Sequence, residues 1–146
     1  MKKETCNEVF KTILFLDNYM GKRMNEIDVL QGNNSLYCIL VNFLYSQSKE
    51  GRVIIQKDIE KEFCVSRSSV NDTIERMKNE GLISLEVDPL DQRKRHIVLT
   101  EKGIDLHEKS EKNMSDIAKS SLSCLSKEEI DLLDDLLSKV KKGAIN

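Results

Sequence analysis

The chain predicts a mainly α fold that carries one small β-hairpin, and three features support this. Apolar residues recur at helical spacing through both ends of the sequence. Strand-like alternation is confined to two brief runs on either side of the single proline, Pro89. Between Arg52 and Gly103 a short helix, a tight turn, a second helix and a basic hairpin follow one another. That order is the sequence form of a winged helix-turn-helix, here embedded in a longer helical frame.

Each element has its own signal. Val9, Phe10, Ile13, Leu14, Leu16, Met20, Met24, Ile27 and Leu30 keep helical spacing, so residues 5–31 read as a long first helix whose apolar positions are mostly ordinary core. Gly32-Asn33-Asn34-Ser35 breaks it, and Leu36 to Tyr45 is apolar enough for a buried second helix. Ile59 and Phe63 form an i, i+4 pair, while Val70, Ile74 and Met77 repeat at i, i+4, i+7, giving two short helices with Val65 plugging the turn between them. Ser66 is a good N-cap for the second of these, Ser69 supports its first turn, and Gly81 suits the left-handed position after its end. Leu82 to Val87 and His96 to Leu99 are the two strands, joined through an exposed tip from Asp88 to Arg95. Thr100 caps a long polar helix from Glu101 to about Leu122. Ser126-Lys127-Glu128-Glu129 then opens a last helix with a capping box, and Ile130, Leu133, Leu136, Leu137 and Val140 form its apolar face.

Opposite the apolar stripe of the second short helix stand Arg67, Ser68, Ser69, Asn71, Asp72 and Arg76. Short polar and basic side chains near a helix start reach base edges and phosphates in a major groove, so this is a candidate recognition helix. The plainer reading is a capped surface helix with solvated charges. Arg93, Lys94 and Arg95 weigh against it, because three consecutive cations repel one another without an anionic partner and a phosphate backbone or narrow minor groove would stabilise them.

The Val65-Ser66-Arg67-Ser68-Ser69-Val70 turn, the Gly81-Leu82-Ile83 exit, the Asp91-x-Arg93 wing signature and the Leu99-Thr100-Glu101-Lys102-Gly103 run together resemble the MarR family of winged-helix transcription regulators. The resemblance extends to the flanks, with one long helix before the winged region and two after it. It implies that the segment from Ser66 to Arg76 lies in the major groove, that Arg93 enters the minor groove, and that Asp91 holds the wing and its arginine. Two positions depart from the pattern. Asp72 stands where basic or neutral residues are usual, and a carboxylate near phosphates weakens binding unless it pairs with Arg76 or accepts from a cytosine amine. Cys64 stands in the turn where the family commonly has glycine, which implies either a slightly different turn or a reactive thiol.

At 146 residues the chain fits one domain with a real core but not separate DNA-binding and sensing domains. Residues 34–100 read as the DNA-binding region of a single domain over 1–146, and 5–31 with 101–143 as a helical dimerisation region. The leucine-rich last helix beside a polar one suggests a homodimer, with two recognition helices about 34 Å apart on a palindrome of double-stranded DNA; a closed monomeric bundle is the other option. The formal net charge of -2 argues against a nonspecific coating of nucleic acid, and the segment 52–100 itself holds as many acidic as basic side chains. A charged start without an uninterrupted apolar segment predicts a cytoplasmic protein with no membrane contact.

The cysteines Cys6, Cys38, Cys64 and Cys124 lack metal-ligand spacing, so no metal or other cofactor is expected. Cys38 and Cys124 read as core, leaving Cys6 and Cys64 as candidate redox sensors. By the family resemblance a small-molecule effector would bind where the dimerisation helices meet the winged region, with Tyr19, Tyr37 and Tyr45 as candidate pocket walls beside the plain reading of packing. No nucleophile elbow, phosphate-binding glycine loop or His/carboxylate constellation predicts an enzyme. The reading is a repressor released by a small-molecule or oxidant effector; a winged-helix protein-interaction module without specific DNA binding is the alternative.

Overall fold

A computed structural model of the chain describes residues 3–26 and 35–145. In chain order these form α1 (Lys3–Asn25), α2 (Ser35–Lys49), α3 (Gln56–Phe63), α4 (Arg67–Asn79), β1 (Ile83–Val87), β2 (Arg95–Leu99), α5 (Glu101–Leu122) and α6 (Lys127–Ile145). The expected fold class is therefore found, six helices with one antiparallel hairpin. Ile27, Leu30 and the Gly32-Asn33-Asn34 break lie outside the described residues, and so does the expected end of the first helix.

The core sits where α2, α3, α4, the hairpin and the start of α5 meet. Tyr37, Leu40, Val41, Leu44, Ile59, Val70, Ile74 and Met77 are all buried there, with Val65 packed against them from the turn as expected. Helix starts are set by local chemistry. Asp58 accepts from the Ile55 N–H at 2.9 Å at the head of α3. The Ser66 hydroxyl accepts from the Ser69 N–H at 3.2 Å, and Thr100 does the same for Gly103 at 3.2 Å. Ser126 and Glu129 exchange the two bonds of a capping box, at 3.2 and 2.8 Å. Between α3 and α4, Cys64 takes a left-handed backbone with φ 51°, the conformation that favours glycine at such a position, and Gly81 does so after α4 with φ 74°.

The hairpin pairs Ile83 with Leu99 at its base and Val87 with Arg95 at its tip. Its root is fixed to the segment before α3 by the Ile97 N–H donating to the Ile54 carbonyl at 2.8 Å. Three bonds then fasten α5 to the exit of α4. The Thr100 hydroxyl donates to Gly81 O at 2.6 Å, the Thr100 N–H to Leu82 O at 3.1 Å, and Lys102 Nζ to Glu80 O at 2.6 Å. The Leu99 to Gly103 run is thus the joint between α4, the hairpin and α5.

The frame differs from its sequence reading in two respects. The apolar residues of α1 are not ordinary core: only Met24 is buried, whereas Val9, Phe10, Ile13, Leu14, Phe15 and Leu16 are exposed. Leu132, Leu136, Leu137 and Val140 of α6 are exposed as well. Periodicity correctly showed an apolar face, but nothing in this chain covers it among the described residues. Cys124, expected in the core, is exposed in the turn after α5, because that helix ends at Leu122. No helix among the described residues is long and apolar enough to cross a membrane.

Candidate nucleic-acid interface

Helix α4 divides cleanly into two faces. Val70, Thr73, Ile74 and Met77 are buried, while Arg67, Ser68, Ser69, Asn71, Asp72 and Arg76 are all exposed. Ser66 and Ser69 are occupied in capping the helix, the two hydroxyls lying 3.0 Å apart, so they present the first turn as well as standing in it. Gln56 holds that turn from α3, donating to the Arg67 carbonyl at 3.3 Å and to Glu60 at 3.1 Å. The positive end of the α4 helix dipole lies at this turn, which favours a phosphate. Arg76 does not pair with the Asp72 carboxylate; its Nε donates to the Asp72 main-chain carbonyl at 3.4 Å. Among the described residues no side chain is bonded to the Asp72 carboxylate, which can accept, as from a cytosine amine.

The wing tip is more ordered than a charged loop alone would be. Asp91 Oδ1 accepts from the Arg93 main-chain N–H at 3.1 Å and from Arg93 Nε at 3.3 Å, so the arginine is aimed while its side chain stays 92% exposed. Lys94 is exposed, and its N–H donates to Asp91 O at 2.9 Å. Arg95 opens β2 and turns its guanidinium back onto the Gln92 and Lys94 carbonyls.

Sequence reading missed the residue that sets this tip. Asp88 Oδ1 accepts from the Leu90 N–H at 2.7 Å and the Asp91 N–H at 3.0 Å, while Oδ2 meets His96 Nε2 at 2.7 Å. The Leu90 N–H, then the His96 bond, hold the Asp88 carboxyl below the usual carboxylate range. Asp88-Pro89-Leu90 is an Asx-turn pattern and was the signal available. His96 lies eight residues away and had none. The sign of the pH dependence follows from the lowered folded-state value. The carboxylate's contribution is complete above the unfolded value near 4 and is lost as pH falls through the lower folded one. The amide proton shifts of Leu90 and Asp91 should accordingly hold steady from neutrality to about pH 5 and move upfield only on stronger acidification, as two-dimensional NMR would show.

The three tyrosines are not brought together. Tyr37 is core, its hydroxyl donating to Glu80 Oε1 at 3.4 Å. Tyr19 is exposed on α1, stacked on Phe15 and bonded to Arg23. Tyr45 lines an open groove of about 970 Å³ between α2 and α5, stacked on His107 with ring centroids 3.8 Å apart. His107 is nearly buried there, hydrogen-bonded through Nδ1 to Asn42 and 3.5 Å from Glu111 through Nε2. Cys6 and Cys64 are exposed thiols, whereas burial raises the Cys38 thiol above its ordinary value. Among the described residues no cluster of His, Cys, Asp or Glu is arranged to hold a metal.

In solved structures, this architecture is matched by MepR of S. aureus in complex with DNA, with a TM-score of 0.78 at 22% identity, covering 92% of this chain and 96% of that one. The fold is that of the MarR-type winged-helix regulators. The PcaV transcriptional regulator from Streptomyces coelicolor, solved with its natural ligand, matches with a TM-score of 0.77 at 20% identity over 91% of both chains. The reduced form of MarR from E. coli gives 0.71 at 19% identity, over 89% of this chain and 93% of that one. No family model matches the sequence, and no curated protein does. In the MarR-type fold, α3 and α4 form the helix-turn-helix, the β1–β2 hairpin is the wing, and α1, α5 and α6 make up the frame.

Proposed function

We propose that this chain is a MarR-type, sequence-specific DNA-binding regulator that occupies a palindromic promoter site as a homodimer, represses there, and is released by an effector. The observation that carries this reading is the pairing of a recognition helix, polar and exposed on one face, with an arginine held by Asp91 yet 92% exposed on the wing that follows it. Residues 34–100 read the DNA, α4 in the major groove and Arg93 in the minor groove. The segments 5–31 and 101–143 join two copies, through the apolar residues that α1 and α6 leave exposed. Repression is the usual mode of the family that the sequence resembles.

The groove beside Tyr45 and His107 suits a small molecule in size, and it opens against α5, whose first residues are bonded to the exit of α4. A ligand that binds better to one position of α5 would thereby shift the recognition helix and change DNA affinity by its differential affinity for the two states. An oxidant would act instead on Cys6 or Cys64, two of the three exposed thiols among the described residues.

Fluorescence anisotropy on randomised and promoter DNA across a salt series tests the reading. Arg93→Ala should weaken specific binding by roughly ten- to a hundredfold and flatten the salt dependence by about one unit of slope. Uniformly weak binding to every sequence, unchanged in Arg93→Ala, would instead favour a wing that docks a protein.

A further inference from the structure

The wing carries an apolar side chain that its DNA-binding role does not yet use. Leu90 stands at the hairpin tip and is 98% exposed, more than any other large apolar residue among those described. A single exposed leucine ordinarily needs no explanation. What distinguishes Leu90 is that its backbone is fixed. Its N–H is bonded to Asp88 Oδ1 at 2.7 Å, Asp88 is bonded on its other oxygen to His96 Nε2 at 2.7 Å, and His96 lies in β2 directly across from Glu86. Asp88 and His96 are largely shielded, with 20% and 18% of their side chains exposed, so this clamp sits beneath the tip and not on it. Leu90 and Arg93 are thus displayed from one rigid turn, with Lys94 and Arg95 following.

We infer that Asp88 and His96 are positioning residues that present Leu90, alongside Arg93, to the floor of a minor groove, where the leucine makes the wing discriminate against guanine. The inference rests on the DNA-binding reading above. Its occupant is set by charge: Arg93, Lys94 and Arg95, which follow Leu90 closely in sequence, draw the tip to phosphate, and the narrow groove of A·T-rich DNA concentrates the negative potential that an arginine seeks. The discrimination follows from what the groove floor offers. A·T pairs expose only acceptors there, whereas G·C pairs add the guanine N2 amine. An isobutyl group laid over that amine strips its water and returns no acceptor, a cost absent over adenine. Apolar side chains are used in minor grooves by other architectures, so the contact itself is physically ordinary.

The test uses the full chain and an operator found by selection from randomised DNA. The base pairs under the wing are made A·T, G·C or inosine·C, the last removing only the minor-groove amine from G·C. The wild type should bind the G·C version about tenfold more weakly than the A·T version and recover on inosine·C. Leu90→Ala should reduce that ratio to about two while leaving the thermal midpoint unchanged. Asp88→Ala should also collapse the ratio, whereas Asp88→Asn, which keeps an acceptor for the Leu90 and Asp91 N–H groups, and His96→Gln, which keeps an N–H donor, should retain it. A ratio that survives Leu90→Ala, or a G·C penalty that inosine does not relieve, would overturn the inference while Arg93→Ala still weakened binding by roughly ten- to a hundredfold. If Arg93→Ala and the wild type bound alike, the DNA-binding reading would fail and this inference with it.

Discussion

Replacing Phe10 and Leu14 together by glutamate should turn the protein monomeric and lower its affinity for a palindromic operator by a hundredfold or more. These two residues lie one helical turn apart on α1 and are 62% and 47% exposed in the single chain. Val9 and Ile13 are exposed on the same helix, and Leu136, Leu137 and Val140 of α6 are similarly exposed. A 23-residue helix with Met24 as its only buried apolar residue is marginal by itself in water, since helices in proteins owe most of their stability to packing of an apolar face. In the proposed homodimer a second copy would supply that packing. Introducing two carboxylates there leaves charges buried without partners, which costs several kcal/mol per dimer and outweighs any change in α1 alone. Loss of the dimer then removes the effective concentration that links two half-sites, while a single half-site should be bound as before. Sedimentation velocity combined with anisotropy on palindrome and half-site DNA separates the two effects. A wild type already monomeric at micromolar concentration, or a variant that kept full palindrome affinity, would remove the homodimer from the proposal.

The same helix shows where the sequence was legible and where it was not. Caps and turns could be read directly because their chemistry is local: Ser66, Thr100 and the Ser126–Glu129 box each bond within three residues. The buried face of α4 was equally plain, since Val70, Ile74 and Met77 keep one period and pack on their own chain. Periodicity on α1 revealed an apolar face just as clearly, yet it cannot say whether the cover comes from the same chain or another. Tyr37, Tyr45 and Tyr19 were indistinguishable in sequence because their fates are tertiary: core, groove and surface. The wing was half legible. Asp91 and Arg93 are two residues apart and form a visible pattern, whereas the Asp88–His96 bond closes only once β1 and β2 are in register.

Register and close approach also decide the outcome of the smallest substitution available in the joint. Gly103→Ala should destabilise the fold by about 2–4 kcal/mol and lower the thermal midpoint by roughly 10 °C. A Cβ at Gly103 would stand 2.2 Å from Leu82 O and 2.9 Å from the Leu99 side chain. The Leu99 atom is the far end of a flexible side chain, but the Leu82 carbonyl is backbone, accepts the Thr100 N–H at 3.1 Å and follows directly on Gly81, whose left-handed backbone ends α4. Relief therefore requires α5 to lift from the exit of α4, and the Thr100 and Lys102 bonds to Gly81 and Glu80 lengthen with it. Gly143→Ala in α6 is the matched control, since nothing lies within 4 Å of its added methyl and alanine is the better helix former by about 1 kcal/mol. Thermal unfolding followed by circular dichroism should move in opposite directions for the two variants. An unchanged midpoint in Gly103→Ala would mean that α5 can slide on α4 at little cost. In that event the joint would be too soft to carry the proposed effector signal from the α2–α5 groove to α4.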